Sequence, residues 1–76
     1  MTRANKKQIE KTLKNGGYVR AESFGFDTKY KLLDSDKNVI GTINFNTYLK
    51  LDLIRIKHLH TFHYEYYQDS EYYQNW

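Results

Sequence analysis

The sequence contains no cysteine, no proline and only four glycines. Without cysteine there can be no disulfide, no thiolate metal site and no cysteine nucleophile. Without proline, no residue removes a backbone donor from a strand or a helix interior. Long apolar runs are missing too. No stretch reaches the length of a membrane span or a signal-peptide core, so a cytoplasmic protein without membrane attachment is expected. Phosphate-cradling glycine motifs are absent, with neither GxxxxGK nor GxGxxG following a strand. The last absence is positional: after Lys57 there is no Lys or Arg.

What is present is unevenly charged. The 76 residues carry a formal net charge of +3. Residues 1–30 hold seven Lys/Arg against three acids, 31–57 hold five against three, and 58–76 hold none against three. A basic body suits a polyanionic partner. A solvated surface would account for the same charge without any partner. A chain of this length is one domain with one small core.

TRANKKQIEKTLKNGG reads as a helix. Ile9 and Leu13 form a narrow apolar stripe, Thr2 or Asn5 can cap its start, and Asn15-Gly16-Gly17 ends it. YVRAE reads as a half-buried strand. Gly25 between Phe24 and Phe26 is a break. KYKLLDSDKNVIGTINF, residues 29–45, reads as a hairpin around Asp34–Asn38. Asn44 can cap a short second helix with Phe45, Tyr48 and Leu49 on one face. The stretch 53–68 holds no turn residue and reads as one long strand. The predicted order is α-β-β-β-α-β, an α+β fold with a small antiparallel sheet of three to four strands and two short helices. Residues 1–68 form the domain and 69–76 an aromatic, acidic tail. Core candidates are Ile9, Leu13, Val19, Tyr30, Leu32, Ile40, Ile43, Tyr48, Leu49, Leu53, Ile54 and Ile56.

A family resemblance rests on particular positions. Leu13 with Gly16-Gly17, Tyr30-Lys31-Leu32 with Asp34, Val39-Ile40-Gly41, and Thr47-Tyr48 with Leu51 and Leu53-Ile54 resemble a layout in small phage and prophage proteins. Those proteins look like minimal winged-helix-type domains. The resemblance spans about residues 9–56 and implies a winged-helix-like fold and the cytoplasm of a host cell. Two positions depart from it. Asp36-Lys37-Asn38 lacks the turn glycine, and Asp52 stands where a glycine often follows the second helix.

Several constellations invite chemistry. His58, His60 and His63 invite a metal, but on one strand His63 would face away from the other two, and no cysteine completes a set. Asp34, Asp36 and Asn38 alternate as in a calcium loop but lack its glycine and distal glutamate. No activated nucleophile or general base is assembled, so neither an enzyme nor a cofactor is expected.

Two binding surfaces remain. Lys7, Lys11 and Lys14 recur at i, i+4 and i+7, and Arg3 continues the row if the helix starts early. With Arg20, Lys50, Arg55 and Lys57 they form the candidate nucleic-acid-binding set. The aromatic end supplies Tyr66, Tyr67, Tyr72, Tyr73 and Trp76. Tyr and Trp give large contact area for little side-chain entropy, which suits a protein contact. The two functional expectations are a small phage-type protein that binds nucleic acid through its first helix, and a protein-directed inhibitor or adaptor of the anti-CRISPR kind. The expected partner is nucleic acid, a nucleic-acid-handling protein complex, or a second copy of the chain.

Overall fold

The computed structural model describes residues 2–60 and 63–68, with 55–60 described by their backbone alone. The first helix, α1 (Lys6–Lys14), begins where its free N–H groups find side-chain acceptors. Asn5 Oδ1 accepts from the Gln8 amide at 2.8 Å, and Gln8 Oε1 accepts from the Asn5 amide at 2.9 Å. This reciprocal capping box fixes the start, so the helix does not reach back to Arg3. Ile9 and Leu13 are buried. After Asn15 the Gly17 amide donates to the Thr12 carbonyl at 2.8 Å. A Cβ on Gly17 would collide with the Thr12 side chain and the Leu33 carbonyl, which is why the close approach needs glycine.

Three strands follow: β1 (Tyr18–Phe24), β2 (Asp27–Leu33) and β3 (Val39–Ile43). β1 and β2 pair antiparallel through a two-residue loop, Gly25-Phe26, with Gly25 at φ 63°. A positive-φ glycine in the first loop position matches the twist of paired strands. Between β2 and β3 the Asp34 carboxylate accepts from the amides of Asp36 and Asn38, both at 2.9 Å. That side chain serves a turn, as Asp does locally. Lys37 stands at φ 69°, in the position where a glycine would be at ease.

The second helix, α2 (Phe45–Leu49), is capped by Asn44, whose Oδ1 accepts from the Thr47 amide at 2.8 Å. Only part of the expected shared face turns inward: Tyr48 is half-buried, while Phe45 and Leu49 are exposed.

The long strand expected over 53–68 is two strands. β4 (Ile54–His60) and β5 (His63–Tyr67) pair antiparallel, with His60 opposite His63. From His60 to His63 the sequence has no Gly, Asn or Pro, so it carries no turn signal there. Among the described residues the sheet order is β3-β2-β1-β5-β4, five strands rather than three or four, and the element order gains a final strand. The coarse expectation, a small α+β domain with an antiparallel sheet and two helices, matches the structure.

β1 is central, between β2 and β5, so it is buried on both sides rather than half-buried. Val19 and Ala21 face the helices along with Leu32, Tyr30, Ile43 and Tyr66, following the pairing and the two-residue period of a strand. The core cluster is Ala4, Ile9, Leu13, Val19, Leu32 and Ile43, with Tyr30, Tyr48, Leu51, Leu53 and Tyr66 packed against it. Three expected core residues are exposed: Ile40 at 38 %, Leu49 at 61 % and Ile54 at 38 %. The pairing of β2 with β3 skips Ile40, since Leu32 lies opposite Gly41 and Leu33 opposite Val39. Such a bulge re-aims the extra side chain. Ile54 opens an edge strand. Ile56 lies outside the residues whose side chains are described. Among the described residues, no helix is long and apolar enough to cross a membrane.

Candidate nucleic-acid interface

On α1, about 100° per residue places Lys7, Lys11 and Lys14 within an arc of roughly 60°, on the side away from Ile9 and Leu13. All three lysines are exposed. From Lys7 to Lys14 the row rises about 10 Å at 1.5 Å per residue. Lys11 and Lys14 lie in the last turn, where the helix dipole favours cations. Glu10, the one acid in the helix, flanks the row, three residues from Lys7 and four from Lys14. The sequence folds this way because the narrow Ile9/Leu13 stripe must dock on the sheet, which turns the lysine side outward.

The rest of the expected basic set is scattered. Arg3 is exposed and lies in a short parallel bridge with Thr42, so it does not extend the row by a helical turn. The Ala4 amide donates to the Thr42 carbonyl at 2.8 Å, and the Thr42 amide to the Thr2 carbonyl at 3.0 Å. Lys50 is the exposed C-cap of α2. It lines a cleft with Lys6 between the two helices. Arg55 and Lys57 stand on β4 at positions opposite Tyr66 and Glu65.

Arg20 belongs to the sheet face on which no helix lies among the described residues. It is half-buried, 3.9 Å from the Glu22 carboxylate, and donates to the Tyr18 hydroxyl at 3.4 Å. Lys31 Nζ lies 3.0 Å from the same Glu22 carboxylate. Tyr67 donates to Glu65 at 3.1 Å, and its ring lies 5.1 Å from that of Tyr18. Both glutamates are 7 % exposed. Burial pushes the Tyr18 hydroxyl up from its ordinary value, helped by the charge of Glu65 and opposed by Arg20. This network ties Arg20 down; its ionic partner is already within the chain. The alternation of Arg20 with Glu22 and of Lys29 with Lys31 was the signal for it, and pairing of the strands brings the two sets together.

The expected aromatic contact residues divide. Tyr66 faces the helices, 5.6 Å and nearly perpendicular to the Tyr48 ring. Tyr67 faces the opposite way, against Tyr18. Adjacent strand residues cannot present one surface to one partner. Tyr72, Tyr73 and Trp76 lie outside the described residues. Tyr48 also stacks on Tyr30 at 4.1 Å. Its hydroxyl is pushed well above the ordinary tyrosine range by burial, then by the Tyr66 hydrogen bond and the neighbouring Tyr66 and Tyr30.

For the metal and calcium patterns the geometry is specific. His60 and His63 occupy opposed positions on paired strands, instead of opposite faces of one strand. The side chains of His58 and His60 lie outside the described residues. Among the described residues, no group of three His, Cys, Asp or Glu could hold a metal ion. No family model, no curated protein and no solved structure matches the chain.

Proposed function

We propose that this chain is a small non-enzymatic binding protein of phage or mobile-element type, and that it engages nucleic acid through Lys7, Lys11 and Lys14. The observation that supports the reading is the row itself, three exposed lysines along α1, of which Lys11 also borders a groove with Asp34, Ser35 and Ile40. Each phosphate neutralised by such a row releases a condensed counterion, so binding falls with salt. A winged-helix-like arrangement would make α2 the base-reading helix. With five residues and Lys50 as its adjoining cation, α2 suits a phosphate contact better than base reading, so the interface is assigned to α1 and is sequence-tolerant.

The test is binding of short single- and double-stranded DNA and RNA by the full chain across a salt series. The reading requires affinity at low salt that declines steeply as salt rises. Binding that is absent at low salt, or indifferent to salt, removes it.

A further inference from the structure

Among the described residues, phenylalanine and tyrosine are placed in reverse of their usual order. Phe24, Phe26 and Phe45 are 54 %, 112 % and 56 % exposed. Tyr18 is 3 % exposed, and Tyr30, Tyr48, Tyr64, Tyr66 and Tyr67 are half-buried. Phenylalanine has no polar atom to present to water and is ordinarily the more buried of the two. Phe24 lies edge-on to His63 at 6.2 Å, and Phe45 lies 6.1 Å from Tyr30 and 6.3 Å from Tyr48, so both cover neighbouring rings and the case for a surface kept for contact rests on Phe26.

Phe26 is the most exposed. It sits at the tip of the β1–β2 hairpin, in a two-residue loop held by Gly25. The loop fixes the backbone that carries it, so little freedom is lost on docking. Asp27 and Lys29 follow it on β2, and both are exposed.

The same chain offers a receptor. Between α1 and α2 lies a cleft of about 560 Å³ with Ile9 and Leu51 in its lining. Its lining also includes two cations, Lys6 and Lys50, and two anions, Glu10 and Asp52. All four are exposed. The cleft is apolar in part and bears both signs of charge, as do the residues around Phe26.

We propose that Phe26 of one copy seats in the α1–α2 cleft of a second copy, with Asp27 meeting Lys6 and Lys50 and Lys29 meeting Glu10 and Asp52. A membrane surface fits less well, because the tip pairs one cation with one anion where an anionic lipid surface favours a cationic one. Tip and cleft are different patches, so each contact is heterologous. Two reciprocal contacts close a dimer and one-way contacts build a chain. The inference is separable from the nucleic-acid reading, since Lys7, Lys11 and Lys14 take no part in it and Lys50 alone is shared.

The experiment is sedimentation velocity of the full chain over a concentration series, with circular dichroism to verify folding. The wild type is expected to self-associate. Phe26→Asp, on an exposed turn, is expected to keep the fold and weaken association at least tenfold, and Lys6→Glu with Lys50→Glu to weaken it as well. Mixing the two variants tests the pairing directly, because one keeps an intact cleft and the other an intact tip. The mixture should associate better than either alone, while Lys7→Glu/Lys11→Glu/Lys14→Glu associates like wild type. A monomeric wild type overturns the proposal, even if Phe26 then proves to anchor a different protein. So does a Phe26→Asp variant that associates unchanged, or a mixture no better than its parts.

Discussion

Leu32 and Leu33 are neighbours in β2, both almost fully buried, and they lie on opposite faces of the sheet. Leu32 joins a cluster roofed by α1, with Ile9 and Leu13 above it and Val19 and Ile43 beside it. Leu33 faces the other side, where the described residues place no helix and where it stands opposite Tyr18 in the pairing. There the described burial comes from the strands' own large side chains and an ionic network: Tyr18 against Tyr67, and Glu22 between Lys31 and Arg20. One face is stabilised by apolar surface removed from water. The other depends more on long side chains lying over one another with their charges paired. A domain this small uses both, since one narrow helix stripe cannot cover five strands.

Truncation should separate the two faces most strongly. Leu32→Ala is expected to cost about 3–4 kcal/mol, because a roofed site collapses poorly around a cavity. Leu33→Ala should cost about 2 kcal/mol, since the flexible side chains of its face can close in. Urea denaturation measures both; equal costs would mean that the second face is packed as rigidly as the first.

Next in size is Glu22→Gln. It leaves Lys31 and Arg20 without their carboxylate and should cost about 1–2 kcal/mol, an amount reduced by the partial exposure of both cations. A neutral result would show the network to be incidental to that face.

At the far end of the sheet, Lys37→Gly relieves a left-handed backbone and should stabilise by about 0.5–1 kcal/mol. Thermal melting would register it, and no gain would mean that the loop's Asp34 hydrogen bonds already absorb the strain.

The smallest effect at neutral pH belongs to Tyr48, on the helix face. Its folded-state affinity for the proton is raised above the ordinary tyrosine value of 10. Its contribution is therefore constant below pH 10 and is lost as pH rises beyond it. Wild type should lose stability in alkali more steeply than Tyr48→Phe, as read by melting temperature against pH. Parallel curves would refute this.

Much of the helix face was legible. Ile9 and Leu13 gave the stripe, Asn5 and Asn44 the caps, and Val19, Leu32 and Ile43 the strand interior. These are local patterns whose meaning does not depend on distant residues. The pairing of β4 with β5 was not legible, because no Gly, Asn or Pro stands between His60 and His63 in the sequence. From that one miss the strand count was wrong and the central position of β1 was hidden. The polar network was not legible as a unit either, since Arg20, Glu22, Lys31 and Glu65 meet only through pairing across three strands. The bulge at Ile40 turned an expected core residue outward for a reason that lies in register, not in sequence period. Of the candidate interface, the row Lys7, Lys11 and Lys14 was readable from spacing alone. That Arg3 and Arg20 stand apart from it was not.

The most direct test of the central reading compares wild type with Lys7→Glu/Lys11→Glu/Lys14→Glu in nucleic-acid binding across a salt series, with helicity checked in parallel. If three phosphate contacts come from this row, the slope of log affinity against log salt should shrink by about 2–3. Affinity at low salt should fall at least tenfold with the fold intact. A folded triple variant that binds with wild-type affinity and slope would contradict the account.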